Sequence, residues 1–479
     1  MGTEIAKKIF TQEDQDIFQQ NLRRETKLLM NWFKRDYFEK IRHHVTGMEL
    51  EACLVDTNMV PAPENKRFLY ELNNSKIVPE ISQFNFEINS DPQICGKDVI
   101  ERTEAELSEL WKLSCAQAEK MGLKAINIGI LPTIRDNMLK MENISEMHRF
   151  FAINQRIMQI RKGQPMHINI QGKDELILEQ QDFMMESAAT SLQIHLQVNQ
   201  EQAVRFYNAS LILSAAMVAL SANSPFLYGK ELWDESRIPV FEQAVNVGSF
   251  RDKTGRLNGR VTFGSGYLRE SFFELFLENL DGYPALLPMN CGGEENSLNH
   301  LRLHNGNIWR WNRPIIGINP NGRPHLRIEH RVCPAGPTIK DMLANIAFYL
   351  GGCYQLANDK KAPEKLMDFE TTRSNFYAAA KYGLEATVQW TDGKTWNIRE
   401  LILKVLIPQI KEGCQNLGMS ESTIKNNIDD IIYPRVESKQ NGANWQKKFV
   451  QKYGKRFQEL TQEYLKRQEA GSPVHLWDL

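Results

Sequence analysis

Five short segments of this chain alternate apolar and polar residues with period two. On each, the polar positions carry chemically reactive side chains. The first is Gly47-Met48-Glu49-Leu50-Glu51-Ala52-Cys53-Leu54-Val55. Met48, Leu50, Ala52 and Leu54 alternate with Glu49, Glu51 and Cys53, which predicts a strand over 47–55 with both glutamates on one face. Adjacent carboxylates on a strand face repel each other unless a cation sits between them. Such a pair is either incidental on a solvated face or a metal-binding pair, and the strand alone leaves both open.

The same pattern returns four times. Residues 84–89 set Phe84, Phe86 and Ile88 against Asn85, Glu87 and Asn89. Residues 165–170 present His167 and Asn169, and 191–198 present Gln193, His195 and Gln197. In 324–332, Arg327, Glu329 and Arg331 oppose Leu326, Ile328, His330 and Val332. These polar faces contain acids, histidine and arginine but no lysine, the residue a merely solvated strand uses freely. Carboxylates with one imidazole suit Mg²⁺ or Mn²⁺. Arginines interleaved with them supply fixed charge to the phosphates such a metal bridges. Together they meet the needs of phosphoryl transfer, which rests on positioning and charge neutralisation. The competing reading is a salt-bridged sheet face. Glu80 invites inclusion, but it lies an odd number of positions from Glu87, so one continuous strand would turn the two to opposite faces. Both serve only if a bulge or turn intervenes.

Around these strands the periodicity predicts helices over 12–43, 66–73, 98–121, 148–161, 175–188 and 200–222, with a short apolar strand over 125–130 and strands over 308–318 and 324–333. The stretch 246–266 is glycine-rich, lacks phosphate-loop spacing, and reads either as a site-covering loop or as a surface excursion; its Arg251, Arg256 and Arg260 either reach a phosphate or are solvated. From about 338 the pattern is helix after helix. The expected division is an N-terminal helical segment (1–45), an α+β catalytic part (46–337) and a helical C-terminal region packed on it (338–479).

Composition excludes several classes. The 479 residues are 42% hydrophobic and 24% charged with a formal net charge of -1, so no global field recruits nucleic acid or a membrane surface. Seven scattered cysteines without a CxxC pair argue against a disulfide framework or structural zinc and for a reducing compartment. The N-terminus has no apolar stretch of signal-peptide length, and the most apolar segment, 209–222, falls short of a membrane span. The expectation is a cytoplasmic protein.

At these residues the chain resembles glutamate–cysteine ligases, in the carboxylate–amine ligase branch of the glutamine synthetase superfamily. The resemblance rests on Gly47–Glu51, Glu80–Glu87, Gln193-Ile194-His195, Ala222-Asn223-Ser224-Pro225-Phe226, Ser236-Arg237, His304-Asn305-Gly306, Trp309–Arg313 and Arg327–Arg331, in that order. It implies a curved antiparallel sheet of glutamine synthetase type with helices outside and ATP bound through Mg²⁺ on the concave face. It implies Glu49, Glu51, Glu80, Glu87, His195 and Glu329 as metal ligands. Arg331 would neutralise the transferred phosphoryl group, Arg313 and Arg237 would contact phosphate or substrate carboxylate, and Arg327, His304 and Asn305 would bind the nucleotide. The implied reaction activates the γ-carboxylate of glutamate as an acyl phosphate and passes it to an amine, cysteine in the usual case. The alternatives are another amine or a protein acceptor, a guanidino-kinase-like enzyme that phosphorylates and stops, or a non-catalytic regulatory relative. Departures from the pattern are Gln193-Ile194-His195, where relatives carry two histidines, and the extra Arg327 and His330.

Overall fold

The computed structural model describes all residues except 1–3, 6, 249, 252–254, 256 and 294. Its centre is an eight-stranded, wholly antiparallel curved sheet. In chain order the strands with names here are β1 (Val45–Val55), β2 (Ile77–Pro79), β3 (Asn85–Asn89), β4 (Gln93–Ile94), β5 (Lys124–Ile126), β6 (Met166–Gln171), β7 (Glu175–Gln180), β8 (Ser191–Val198), β9 (Asn312–Ile318) and β10 (Pro324–Pro334). The sheet runs β9-β10-β8-β1-β3-β2, and β4 and β5 pair with the two ends of β1.

Period two places one set of side chains in the core. Met48, Leu50, Ala52 and Leu54 of β1, Leu192, Ile194 and Leu196 of β8, and Leu326 and Ile328 of β10 are all buried. His330 belongs to this set: its ring stacks on Tyr349 at 4.2 Å and its Nδ1 lies 2.7 Å from Asn312 Oδ1. Against this face pack the helices Ala203–Ser221 and Ile339–Asn358. The first is 19 residues and apolar enough to span a membrane by composition, longer than the apolar run read from sequence, yet 89% of it is buried inside the fold. Its serines are satisfied within the helix, Ser210 Oγ donating to Phe206 O at 2.8 Å and Ser214 Oγ to Ser210 O at 2.7 Å.

Several expectations are corrected. Residues 175–188 are not a helix: β7 pairs with β6 as a two-stranded hairpin off the main sheet, followed by a short 3-10 turn, Met184–Ala188. Glu175-Leu176-Ile177-Leu178-Glu179-Gln180 is a strand because it can pair in register with β6, Ile168 opposite Leu178. The first helix ends at Lys34, not 43, and the strand at 125–130 is only three residues long. The C-terminal region contains a hairpin, Thr387–Gln389 with Thr395–Asn397. It also has two widened helical turns, 402–406 and 425–432, each running into a proline, Pro408 or Pro434, whose missing N–H breaks the ordinary helical bond pattern. All seven cysteines are free thiols, as expected.

The parity problem at Glu80 is solved by a hairpin. Val78 lies opposite Glu87 and Pro79 opposite Phe86. Opposed residues share a face, and Glu80, two positions past Val78, returns to the face of Glu87. Asn65 pins the intervening turn, its Nδ2 donating to Ser82 O, Asn85 O and Ser145 Oγ at 3.0, 2.9 and 2.9 Å.

Candidate active site

On the concave face, strand register alone sets the first neighbours. Glu51 sits opposite Glu87, Glu49 opposite Gln193, and Glu329 opposite His195. Two sets of ligand atoms result, each with its members within 4.8 Å of one another: Glu49, His195 and Glu329, and Glu51, Glu80 and Glu87. These are the six residues that the family resemblance implies as metal ligands.

The two sets differ electrostatically. In the first, burial would raise the carboxyl of Glu49, but His195, 3.2 Å away, outweighs it and holds the group at about 2. Burial likewise opposes ionisation of Glu329, which is fully enclosed. Arg313 overcomes this with a bidentate clamp, Nε to Oε2 at 2.6 Å and Nη2 to Oε1 at 2.8 Å, and Arg331 adds a contact at 3.2 Å. Glu329 is thereby held well below the usual carboxylate range. A slip of one residue in the β8–β10 register beyond His330 is a bulge at Arg331. Its N–H donates to Trp311 O at 2.9 Å while its guanidinium stays beside Glu329 and donates to Gln193 Oε1.

The second set carries no such clamp. Glu51 is the best satisfied, accepting from Ser191 N at 2.8 Å, Ser191 Oγ at 2.9 Å and Gln193 Nε2 at 2.9 Å, and burial still raises it. Burial, then the charge of Glu51, pushes Glu80 up to about 8. Burial, then Glu49 and Glu80, pushes Glu87 well above the carboxylate range. Glu80 Oε1 and Glu87 Oε2 are buried and accept no hydrogen bond from any described residue. Three crowded carboxyls with orphaned oxygens are a donor set that a hard dication fits.

Glu49, Glu51, Glu80 and Glu329 of these groups open on a cavity of about 260 Å³. Its charged lining mixes the two signs, with Arg149 near Glu80 and with Glu329 beside Arg313 and Arg331. Toward β1 and β2 are Glu49, Glu51 and Glu80. Toward β9, β10 and the helix Asn299–Gly306 are Arg302, Arg313 and Arg327. Arg302 and Arg327 make no ion pair with an acid among the described residues, and burial lowers both guanidinium pKa values. Phe150, Ile153, Phe183, Phe241 and Trp309 form the apolar wall.

Other expected site residues lie elsewhere. His304 and Asn305 face into the protein, His304 Nε2 lying 3.0 Å from Asn279 O and Asn305 Nδ2 donating to Pro314 O at 2.8 Å; burial takes His304 down to about 4. Their neighbours Leu303, Gly306 and Asn307 line the cavity instead. Arg237 is buried behind it, donating to Glu235 Oε1 at 2.8 Å and Val332 O at 2.7 Å. His167 is exposed on the separate β6–β7 hairpin beside Glu179, so that strand brings neither it nor Asn169 to the site. Arg260 is buried and donates to Asn307 O at 2.7 Å and Pro284 O at 2.5 Å, Arg251 donates to Gly255 O, and Arg256 lies outside the described residues. The sequence reading missed Arg149, Arg302 and Glu186, all of which line the cavity from helical segments.

The model of a family described as glutamate-cysteine ligase family 2 matches residues 45–468. Among solved structures, the chain is similar to a glutamate–cysteine ligase from Francisella tularensis in complex with AMP, with a TM-score of 0.52, 11% identity and 90% of each chain covered. It also matches a bifunctional glutathione synthetase from Pasteurella multocida (TM-score 0.48, 10% identity), with 92% of this chain covering 54% of that one. A further match is the Pup ligase PafA in complex with Pup (TM-score 0.39, 10% identity), covering 88% of this chain and 71% of that one. No curated protein matches the sequence.

Proposed function

The chain belongs to glutamate–cysteine ligase family 2, and from that premise we propose that it is an ATP-dependent carboxylate–amine ligase, with glutamate and cysteine as the first substrate pair to assay. The observation that carries this reading is the pairing of two ligand clusters, Glu49/His195/Glu329 and Glu51/Glu80/Glu87, with arginines across one cavity. A salt-bridged structural face does not account for it, because Glu80 Oε1 and Glu87 Oε2 are buried and accept no hydrogen bond from any described residue.

These six residues would hold Mg²⁺, which would supply charge neutralisation to the phosphates. The protein's own part is positional. Arg313 fixes the Glu329 carboxylate in one orientation and keeps it ionised. Arg302 and Arg327, unpaired with acids, receive the polyphosphate. Arg331, between Glu329 and Gln193, neutralises the phosphoryl group in transfer. A substrate carboxylate oxygen bonds to the γ-phosphorus as the β–γ bridging bond breaks and ADP leaves. The amine nitrogen then bonds to the acyl carbon as the carbon–oxygen bond to phosphate breaks. Of the two protons the ammonium loses overall, one leaves on the phosphate and one passes to water.

The test is an ADP-release assay with ATP, Mg²⁺ and glutamate, adding amines singly and following product mass. Amine-dependent ADP release with a γ-glutamyl amide as product is the expected result. ADP release that leaves a phosphorylated product and no amide would replace the ligase reading with a kinase.

A further inference from the structure

One side chain on the central strand of the site reaches both neighbouring strands. β8 lies between β1 and β10 in the sheet, and its alternation turns Ser191, Gln193 and His195 to the concave face. Gln193 is opposite Glu49 on β1, and its neighbours Ile194 and Leu192 pair with His330 and Cys333, on either side of the bulge at Arg331. It is fully buried. Its Nε2 donates to Glu51 Oε1 at 2.9 Å, and its Oε1 accepts from Arg331 Nη1. Only one orientation of the amide serves both ends, because an ionised carboxylate only accepts and a guanidinium only donates.

The two ends act on different parts of the site. Glu51 Oε1 also accepts from Ser191 Oγ at 2.9 Å, so β8 takes both of its lone pairs. Oε2 accepts from Ser191 N at 2.8 Å and has a second lone pair to give to a cation. At the other end, the amide oxygen holds Arg331 where it meets Glu329 at 3.2 Å. Among the described residues, Gln193 is the one side chain that hydrogen-bonds both to a member of the Glu51/Glu80/Glu87 cluster and to Arg331. We propose that Gln193 is a positioning residue for phosphoryl transfer, a neutral spacer that ties the metal ligand Glu51 to Arg331 so that cluster and guanidinium act as one unit. This rests on the ligase reading above and adds the residue that couples two parts of its site.

The test uses the intact chain and two variants. Gln193→Met keeps the bulk and loses both bonds; Gln193→Asn keeps the amide but is one methylene too short to reach both ends. Mg²⁺ alone is titrated first, by calorimetry, and its Kd should rise by about 10-fold or more in Gln193→Met, where Glu51 loses a donor that orients it. In the ADP-release assay, kcat should fall by about 10-fold or more in both variants, with KM for ATP within about threefold of wild type. In an Arg331→Ala background the same substitutions should lower kcat by less than about threefold, because the group they position is gone. The full loss repeated in that background overturns the proposal and leaves Gln193 a structural residue. Wild-type kcat in either variant, or an unchanged Mg²⁺ Kd in Gln193→Met, also overturns it. A wild-type protein that releases no ADP with any amine overturns the ligase reading, and the Arg331 half of this inference with it. The titration needs no turnover and still decides the Glu51 half.

Discussion

Replacing Glu80 by glutamine should make the metal-free protein more stable and the Mg²⁺-loaded protein less responsive. Glu80 is buried beside Glu51, with one oxygen unpartnered, and its carboxyl titrates at about 8 in the fold against an ordinary value of 4.5. The folded chain therefore holds a proton there that the unfolded chain releases. The stability tied to that proton is complete below 4.5 and is lost as pH rises through 8. At pH near 7 the loss amounts to about 3 kcal/mol, at 1.36 kcal/mol per pH unit, and glutamine does not incur it. Unfolding entropy of about 2.1 cal/mol/K per residue gives roughly 1 kcal/mol/K for a chain this long, so Glu80→Gln should melt about 3 °C above wild type in EDTA near pH 7. The gap should close near pH 5. Saturating Mg²⁺ at about 100 times its Kd should raise the wild type by about 3 kcal/mol and the variant by much less. Thermal unfolding by calorimetry, in EDTA and in Mg²⁺ at roughly pH 5, 7 and 8, reads both effects. Equal melting of the two proteins in EDTA across that range, or equal gains from Mg²⁺, would refute the account of the Glu51/Glu80/Glu87 cluster as a strained dication site.

Three further outcomes follow from particular contacts. Arg331→Ala removes the charge between Glu329 and Gln193 but leaves the Arg313 clamp, so ATP turnover should fall by about 100-fold or more with far-UV circular dichroism unchanged; turnover within about threefold of wild type would remove Arg331 from the mechanism. His304→Ala should lower stability by about 1–3 kcal/mol, since it deletes a buried ring bonded to Asn279 O, and should leave KM for ATP alone; a raised KM would return His304 to the nucleotide site. Asp341 is fully buried, where it accepts from Arg435 at 2.8 Å and from Val474 N at 3.1 Å. Asp341→Ala strands the Arg435 charge, and thermal unfolding should show about 3–5 kcal/mol of lost stability. A loss under about 1 kcal/mol would mean that the C-terminal segment around Val474 is held by other contacts.

What could be read from the sequence was whatever period two controls. Glu49, Glu51, Glu87, His195, Glu329 and Arg331 lie on strands whose alternation fixes their face before any tertiary contact is known, and the structure brings all six to one concave surface. Alternation says nothing about which strands pair. His167 and Asn169 alternate as well as His195 does, yet β6 finds its partner across the three-residue turn 172–174, in β7, and never joins the sheet. Parity arithmetic excluded Glu80 from a continuous strand, and a hairpin readmitted it. His304 and Asn305 failed for a different reason. They sit on a helix, where a turn of 3.6 residues divides neighbours between wall and core, and Leu303, Gly306 and Asn307 took the wall. The same physics hides Arg149 and Glu186. Each reaches the cavity from a helical turn whose sequence carries no alternation. The two carboxylate clusters were therefore legible, being built from strands. The wall that carries Arg149, Arg302 and Glu186 was not, because it is built from helical segments whose cavity-facing residues only the folded chain reveals.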